Sequence, residues 1–350
     1  MTVAVAPRRE PPQTPAETGS RRLTERVFRI RESGIVAVLV AFVGVTAAIQ
    51  HRFLDLQNIQ FVLVDTTVFA LLALGETMVV ISRNVDLSVG SVLGLSAFIS
   101  ANLFGHDHGI PIPVVFLVGL GIGCGCGIVN GLMVSVGRVP SLVVTLATLY
   151  IIRGIDVLIV GGGQVVASSL PGGFIGIPKS TVLGIPDLAI VIAIVIAAGA
   201  YYLRSFRSGR ELYAIGSNPE AARLAGIPIA KRVFTAFVLS GAIAGVAGVL
   251  WAARYAAIDS TAGTGYELQV VAAVVVGGVA IFGGSGSVTG AALGALLLNT
   301  INSALYVLGI SPFWDQAIAG FLLILAIALD RAINLRLTAA LRLRSSRRAA

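Results

Sequence analysis

The chain has 350 residues, of which 56% are hydrophobic and only 12% charged, against roughly a quarter charged in an ordinary soluble domain. A mean hydropathy of +0.92 leaves too little polar side chain to cover a water-exposed globule, which excludes a soluble enzyme and sets much of the exterior against lipid. The net charge of +8 comes from arginine, with Lys179 and Lys231 the only lysines, and its uneven placement argues against nucleic acid as a partner.

Residues 1–32 are polar, rich in Pro and Arg, and lack the apolar core and cleavage site of a secretory signal; they read as a disordered cytoplasmic tail. Beyond them comes a single transmembrane domain over 33–330, then a basic cytoplasmic tail over 331–350. A helix needs about 20 apolar residues to cross a hydrocarbon core of about 30 Å. Runs near that length fall at 34–50, 60–82, 89–104, 112–136, 141–160, 186–203, 233–253, 268–282, 289–308 and 313–329. The predicted fold is therefore an all-α polytopic bundle of about ten spans, and an even number places both termini on one side. Translocating positive charge is disfavoured. With both termini cytoplasmic, 21 of the 25 basic residues lie inside and only Arg52, Lys179 and Arg254 outside, Arg153 falling within a span.

Several spans depart from a plain apolar helix. Gly119, Gly123, Gly127 and Gly131 recur every four residues and form a smooth ridge for close helix packing. Cys124 and Cys126 on the same run cannot pair with each other and supply too few ligands for a metal. His106 and His108 flank Asp107 in a short loop better read as solvated than as a metal site. The segment 268–282 is short and carries Gly277 and Gly278, and 89–104 is short and begins at a polar turn. Broken spans of this kind point to a transport path, because freed backbone groups survive only beside protein or water. The sequence at 284–290 lacks the lysine and the strand of a phosphate loop and reads as a turn.

Ionisable groups at membrane depth need partners or a wet cavity. Arg153 and Asp156, three apart, share a helical face and can form an ion pair. Asp65 and Glu76, eleven apart, also share a face, directed to a polar path or a neighbouring subunit. Asp86, before the run that starts at Val89, suits a helix cap, and the same cluster suits the inner end of a pore. Asn84, Ser88, Asn130, Thr145, Tyr266 and Asn299 are the moderate hydrogen-bonding groups that a path for a hydroxylated solute requires, since substrate must leave as well as enter.

The largest inner loop, 204–232, contains Asn218 as a cap, Pro219 in the first helical position and Gly226 as a stop. The enclosed helix of about two turns is too short to stand by itself and calls for a protein surface to hold it. Its Ala-rich side would fit into a groove, with Glu220 and Arg223 forming polar contacts at the rim.

Three segments taken in order carry a resemblance: Asn84-Val85-Asp86-Leu87-Ser88-Val89-Gly90-Ser91, the helix at 218–227, and Thr261-Ala262-Gly263-Thr264-Gly265-Tyr266-Glu267-Leu268. Together they resemble the ribose-type ABC transporter permease family over about residues 34–330. Ser82-Arg83-Asn84-Val85-Asp86 and Phe282-Gly283-Gly284-Ser285-Gly286 are most similar to rhamnose and autoinducer-2 permeases. The resemblance implies a type II-like importer permease in a bacterial inner membrane. Its implied partners are an ABC ATPase, an extracytoplasmic sugar-binding protein and a second permease copy, identical or related. It makes 218–227 the coupling helix, with Asn218, Glu220, Ala221, Arg223, Leu224 and Gly226 at the ATPase. It also places Asp86 and Ser88 beside the substrate path, to which Arg153 and Glu267 are added here; Glu76 and Asp156 are not part of the family pattern.

With two lysines and no G-x-x-x-x-G-K-[ST], the chain has no phosphate loop. ATP and Mg²⁺ are expected on the partner, and no cofactor, metal or catalytic residue is expected here. The alternative is a proton-coupled secondary transporter using Asp65, Glu76 or Asp156.

Overall fold

The computed structural model describes residues 33–106, 109–328 and 331. Both tails, and Asp107 and His108 of the predicted short loop, lie outside the described residues apart from Arg331. Each of the ten apolar runs contains a helix. These are α1 (Ser33–Ile49), α2 (Leu56–Ile81), α3 (Val89–His106), α4 (Ile112–Ser135), α5 (Ser141–Val160), α7 (Asp187–Ser205), α10 (Ile229–Tyr255), α11 (Tyr266–Val276), α12 (Val288–Val307) and α13 (Trp314–Ala328). The remaining helices are α6 (Gly172–Gly176), α8 (Arg207–Ser217) and α9 (Pro219–Leu224). By length and composition, six of the described helices are long and apolar enough to cross a membrane: α2, α4, α5, α7, α10 and α12.

Proline sets many of the starts. Pro111, Pro140, Pro186 and Pro228 stand immediately before α4, α5, α7 and α10, where a fixed φ helps and no N–H is missed. Glycine or alanine in a left-handed conformation stops α5 at Gly161 and α10 at Ala256. The segment predicted to run over 268–282 ends as helix at Val276, and Gly277–Ser287 returns as a glycine-rich loop. At eleven residues α11 rises only about 16 Å, half a bilayer core.

Burial sorts the helices into an inner and an outer set. In their most apolar windows α2 is 89% buried, α10 67% and α12 61%, whereas α4, α5 and α7 are 22–33% buried. The outer helices show large apolar side chains to the exterior, such as Leu117, Tyr150, Leu158 and Ile194, as lipid-facing surfaces do. The core therefore centres on α2 and α10, with α3, α4 and α12 against them.

The glycine ridge of α4 behaves as its spacing predicts. A Cβ on Gly123 would come 2.1 Å from the carbonyl oxygen of Gly241, and one on Gly127 2.5 Å from that of Phe237. Reciprocally, a Cβ on Gly245 would come 2.1 Å from the oxygen of Gly119. Thus α4 and α10 meet backbone to backbone.

A second apolar cluster caps one end of the bundle. Phe104, Phe174, Val165 and Ile258 are buried together, and the Phe104 and Phe174 rings lie 5.0 Å apart. Here β1 (Val165–Val166) pairs antiparallel with β4 (Ala257–Ile258). The hairpin of β2 (Thr181–Val182) and β3 (Ile185–Pro186) is tied to α2 by Gln60, which donates to the Gly184 carbonyl at 3.0 Å.

Candidate functional site

At the opposite end, α8 and α9 form the loop between α7 and α10. The sequence points to one helix standing alone there, but the structure has two. The amphipathic α8 precedes α9 directly, burying Leu212 and Ile215; too short for a span, it lacks the signal that marks the others. Asn218 Oδ1 accepts from the Ala221 N–H at 3.1 Å, Pro219 opens the helix and Gly226 follows it at φ +74°, as the residue types predict. Glu220 and Arg223 pair with each other at 2.8 Å while 76% and 70% exposed, and Leu224 is 84% exposed. Ala222 is buried against the protein, whereas Ala221 and Leu224 face outward.

Glu211 anchors α8. Its carboxylate pairs with Arg232 of α10 and, at 2.8 Å, with Arg207. The Arg232 guanidinium is the main reason that its carboxyl lies below the usual glutamate range, with Arg207 adding to it against the opposing effect of burial.

Three strands of chain meet beneath α8. Arg83, in the α2–α3 loop, donates from Nε to the Gly216 carbonyl and from Nη2 to that of Ser217 at 3.0 Å. Gly284 N donates to the Ile81 carbonyl at 2.9 Å, and Tyr213 Oη donates to that of Gly286 at 3.0 Å. A Cβ on Gly216 would stand 1.8 Å from the Ile81 oxygen and 2.3 Å from Gly284 N, so only glycine fits. Arg83 itself holds φ +66°, a conformation uncommon outside glycine.

Inward from Arg83 the chain enters a buried polar network. Asp86 Oδ1 accepts from Ser88 N at 3.0 Å and Ser88 Oγ at 2.6 Å, and Ser240 Oγ of α10 donates to Oδ2 at 3.2 Å. Asn130 Nδ2 of α4 donates to Ser88 Oγ at 2.8 Å. Glu76 Oε1 of α2 accepts from Asp86 N at 3.1 Å. Glu76, Asp86, Ser88, Asn130 and Ser240 are each at most 1% exposed. Asp86 is therefore not the helix cap suggested by its position: it sits two residues too early and turns on Ser88 instead, and Ser88 immediately precedes α3. Glu76 Oε2 and Asn130 Oδ1 have no hydrogen-bond partner among the described residues. Asn84 donates to Ser82, and Thr145 of α5 reaches the Val85 carbonyl at 3.2 Å.

Asp65 and Glu76 do not share a partner. Arg254 Nε donates to Asp65 Oδ1 at 2.7 Å and lies over the Phe61 ring, far along α2 from Glu76.

The other predicted path residues fall into two further groups. Arg153 of α5 donates to the carbonyls of Ala262 at 2.6 Å and Ser260 at 3.2 Å, and its pair with Asp156 spans 3.7 Å. Gly90 and Gly94 of α3 make room for Glu267 and for Arg153 with the Ala262 carbonyl. Both Asp156 oxygens and Glu267 Oε2 lack hydrogen-bond partners among the described residues. Asp259, in the loop above, lies below the usual range because Thr261 donates to it twice, from its hydroxyl and its N–H. Tyr266 accepts from Trp251 Nε1 at 3.0 Å and stacks at 4.5 Å on Phe69. Asn299 borders a small polar void of about 10 Å³ with Gln269 and Asp315.

Sequence reasoning finds Asp86, Ser88 and Asn130, which the structure joins, but misses Ser240 and Arg83. Ser240 is an unremarkable serine in an apolar run, while Arg83 was present in the quoted motif without a partner to suggest its part.

A cavity of about 720 Å³ opens between the α4–α5 turn, the α2–α3 loop and α9, with Arg83, Arg138 and Arg223 on its wall. Among the described residues, no three His, Cys, Asp or Glu side chains form a metal-holding group.

Comparisons with known proteins return import permeases along most of the chain. The chain is 32% identical over 321 residues to the ribose import permease protein RbsC of Escherichia coli K12, covering 91% of this chain and 98% of that one. It is 33% identical over 312 residues to the autoinducer 2 import system permease protein LsrC of Enterobacter sp. 638, covering 89% and 90%. It is also 33% identical over 305 residues to RbsC of Haemophilus influenzae, covering 87% and 94%. No solved structure gives a significant match. The profile of the branched-chain amino acid transport system / permease component family matches residues 58–327. The chain is a multi-pass membrane permease and belongs to that family.

Proposed function

We propose that this permease carries a monosaccharide or a related polyol inward across a bacterial inner membrane by alternating access, driven by a separate ABC ATPase. Both tails and the α8–α9 loop then face the cytoplasm, as the distribution of arginine favours. An extracytoplasmic binding protein delivers the solute, and a second permease copy, identical or related, completes the path. The names of the relatives, ribose and autoinducer 2 importers, support a small hydroxylated substrate.

The observation that carries the reading is the link from α9 to the buried network. The ATPase seats on α9, through Ala221 and Leu224 with Glu220 and Arg223 at the edge, and ATP with Mg²⁺ stays on that partner. Movement of α9 pulls on Ser217 and Gly216, and Arg83 passes the displacement to Asp86 and so to α3, α4 and α10. A ligand can shift two states only by binding them unequally, and ATP-driven closure of the partner supplies that difference through α9. Asn84, Asp86, Ser88, Asn130 and Thr145 line or support the inner part of the path, and Arg153, Tyr266, Glu267 and Asn299 the outer part.

The test is reconstitution of the assembled importer with and without residues 218–226. Sugar-stimulated ATP hydrolysis and uptake are expected to be lost together on deletion. Retained coupling would overturn the reading. Uphill uptake by the chain reconstituted alone, abolished by an uncoupler, would establish the proton-coupled alternative.

A further inference from the structure

The cavity beside α9 holds, besides the Arg83 and Arg223 that serve coupling, an arginine that coupling does not use, Arg138. Its wall carries the guanidinium groups of Arg83, Arg138 and Arg223, and the polar side chains of Asn84, Ser135 and Ser141, but no aspartate or glutamate. Arg83 bonds to the last carbonyl oxygens of α8, not to a carboxylate, so among the described residues it carries no neutralising acidic partner and keeps Nη1 without a bond there. Arg138 is exposed and has no hydrogen-bond or ion-pair partner among the described residues. Only Arg223 has an acidic neighbour, Glu220.

A general excess of arginine on this face would not explain the backbone. Arg83 and Arg138 hold φ +66° and +57°, and left-handed conformations at side chains of this size are strained. Glycine would take either turn without strain, yet arginine stands at both, one on each side of the same opening. The volume of about 720 Å³ falls within the roughly 300–1,000 Å³ of small-molecule pockets. Guanidinium groups match phosphate oxygens, which they bind in bidentate fashion, and the Ser141 hydroxyl, which accepts from the Val85 N–H, keeps its own proton to donate.

We infer that this cavity is a binding site for a phosphomonoester, with Arg138 its principal free cation and Arg83 and Arg223 beside it. On the proposed orientation it opens to the cytoplasm, where soluble sugar phosphates and the phosphate headgroups of the inner leaflet can both reach it. A ligand seated there touches Arg83 and α9 at once, and so bears on the segment that couples the partner to the bundle.

The test uses the full chain in phosphatidylcholine nanodiscs, without the ATPase, whose own phosphate site would confuse the measurement. Calorimetric titration with ribose 5-phosphate is expected to show saturable binding weakened by added salt, whereas any heat from ribose, which reports on the transport path, is expected to be indifferent to salt and to Arg138→Gln. Arg138→Gln is expected to weaken it about tenfold, the loss of one charge-assisted pair, and Arg138→Lys by less. Nanodiscs containing phosphatidic acid separate the sources. Competition with ribose 5-phosphate in the wild type would identify the headgroup as the occupant, and absence of competition the soluble ester. Either result upholds the site. Ribose 5-phosphate binding indifferent to salt, or to Arg138→Gln, would overturn it. Sugar-stimulated ATP hydrolysis by the assembled importer, assayed without added esters, reports separately on the importer reading.

Discussion

Arg83 donates to the carbonyl oxygen of Ser217 at 3.0 Å, across 134 residues of sequence, and so ties the α2–α3 loop to the last residue of α8, one residue before the Asn218 cap of α9. Charge-assisted hydrogen bonds contribute about 1.5–3 kcal/mol each. Replacing Arg83 with Gln should therefore uncouple the importer, leaving ATP hydrolysis while sugar uptake falls at least about tenfold. Uptake and hydrolysis measured on the same proteoliposomes check this. A parallel fall in both would show that Arg83 only supports folding.

The contact between α4 and α10 makes a sharper structural prediction. At Gly123 an added methyl group would meet the Gly241 carbonyl, whereas Gly121 and Gly125 have nothing within 4 Å. Gly123→Ala should lower stability by on the order of 2–3 kcal/mol, read as a drop in thermal midpoint in detergent. Gly121→Ala and Gly125→Ala should leave that midpoint unchanged.

Asp65 and Arg254 provide a pair suited to a double-mutant cycle. Their side chains are 28% and 22% exposed and meet at 2.7 Å, so the coupling should be about 1 kcal/mol, near the upper end for exposed pairs. Asp65→Asn and Arg254→Gln, singly and together, would give that value by thermal unfolding. Coupling indistinguishable from zero would leave α2 and α10 held by packing alone.

Glu211 gives a pH dependence of known sign. Arg232 and Arg207 depress its carboxyl below the ordinary range, so the native state binds its proton less readily than the unfolded chain does. The stabilisation is complete above the ordinary glutamate range and is lost as pH falls towards the depressed value. Protease resistance of the α8–α9 loop should decline on acidification in the wild type. In Glu211→Gln it should be lower at neutral pH and respond less to acid.

Much of the fold was legible from apolar run length, although the run placed at 233–253 starts as helix at Ile229, directly after Pro228, a local signal that apolarity does not carry. The cap, proline and stop around 218–226 were equally plain, because they are local chemistry. What stayed hidden depended on distant partners. Ser240 joins Asp86 from 154 residues away, and Glu211 selects Arg232 only once α8 has folded against α10. The amphipathic α8 was too short to register as a span and too polar to stand out from a loop. Asp86 resembled a cap by position, yet Ser88 offers it both a hydroxyl and an N–H at shorter range.

The glycine seam also bears on where the molecule can bend. With Gly123 and Gly127 of α4 seated against the backbone of Gly241 and Phe237, and Gly245 of α10 against that of Gly119, the middle of the α4–α10 seam has little side-chain cushion to yield. The two helices therefore behave as a single strut. Rearrangement during a transport cycle then falls to elements that meet through side chains, such as α5, which reaches the core through the hydrogen bonds of Thr145 and Arg153.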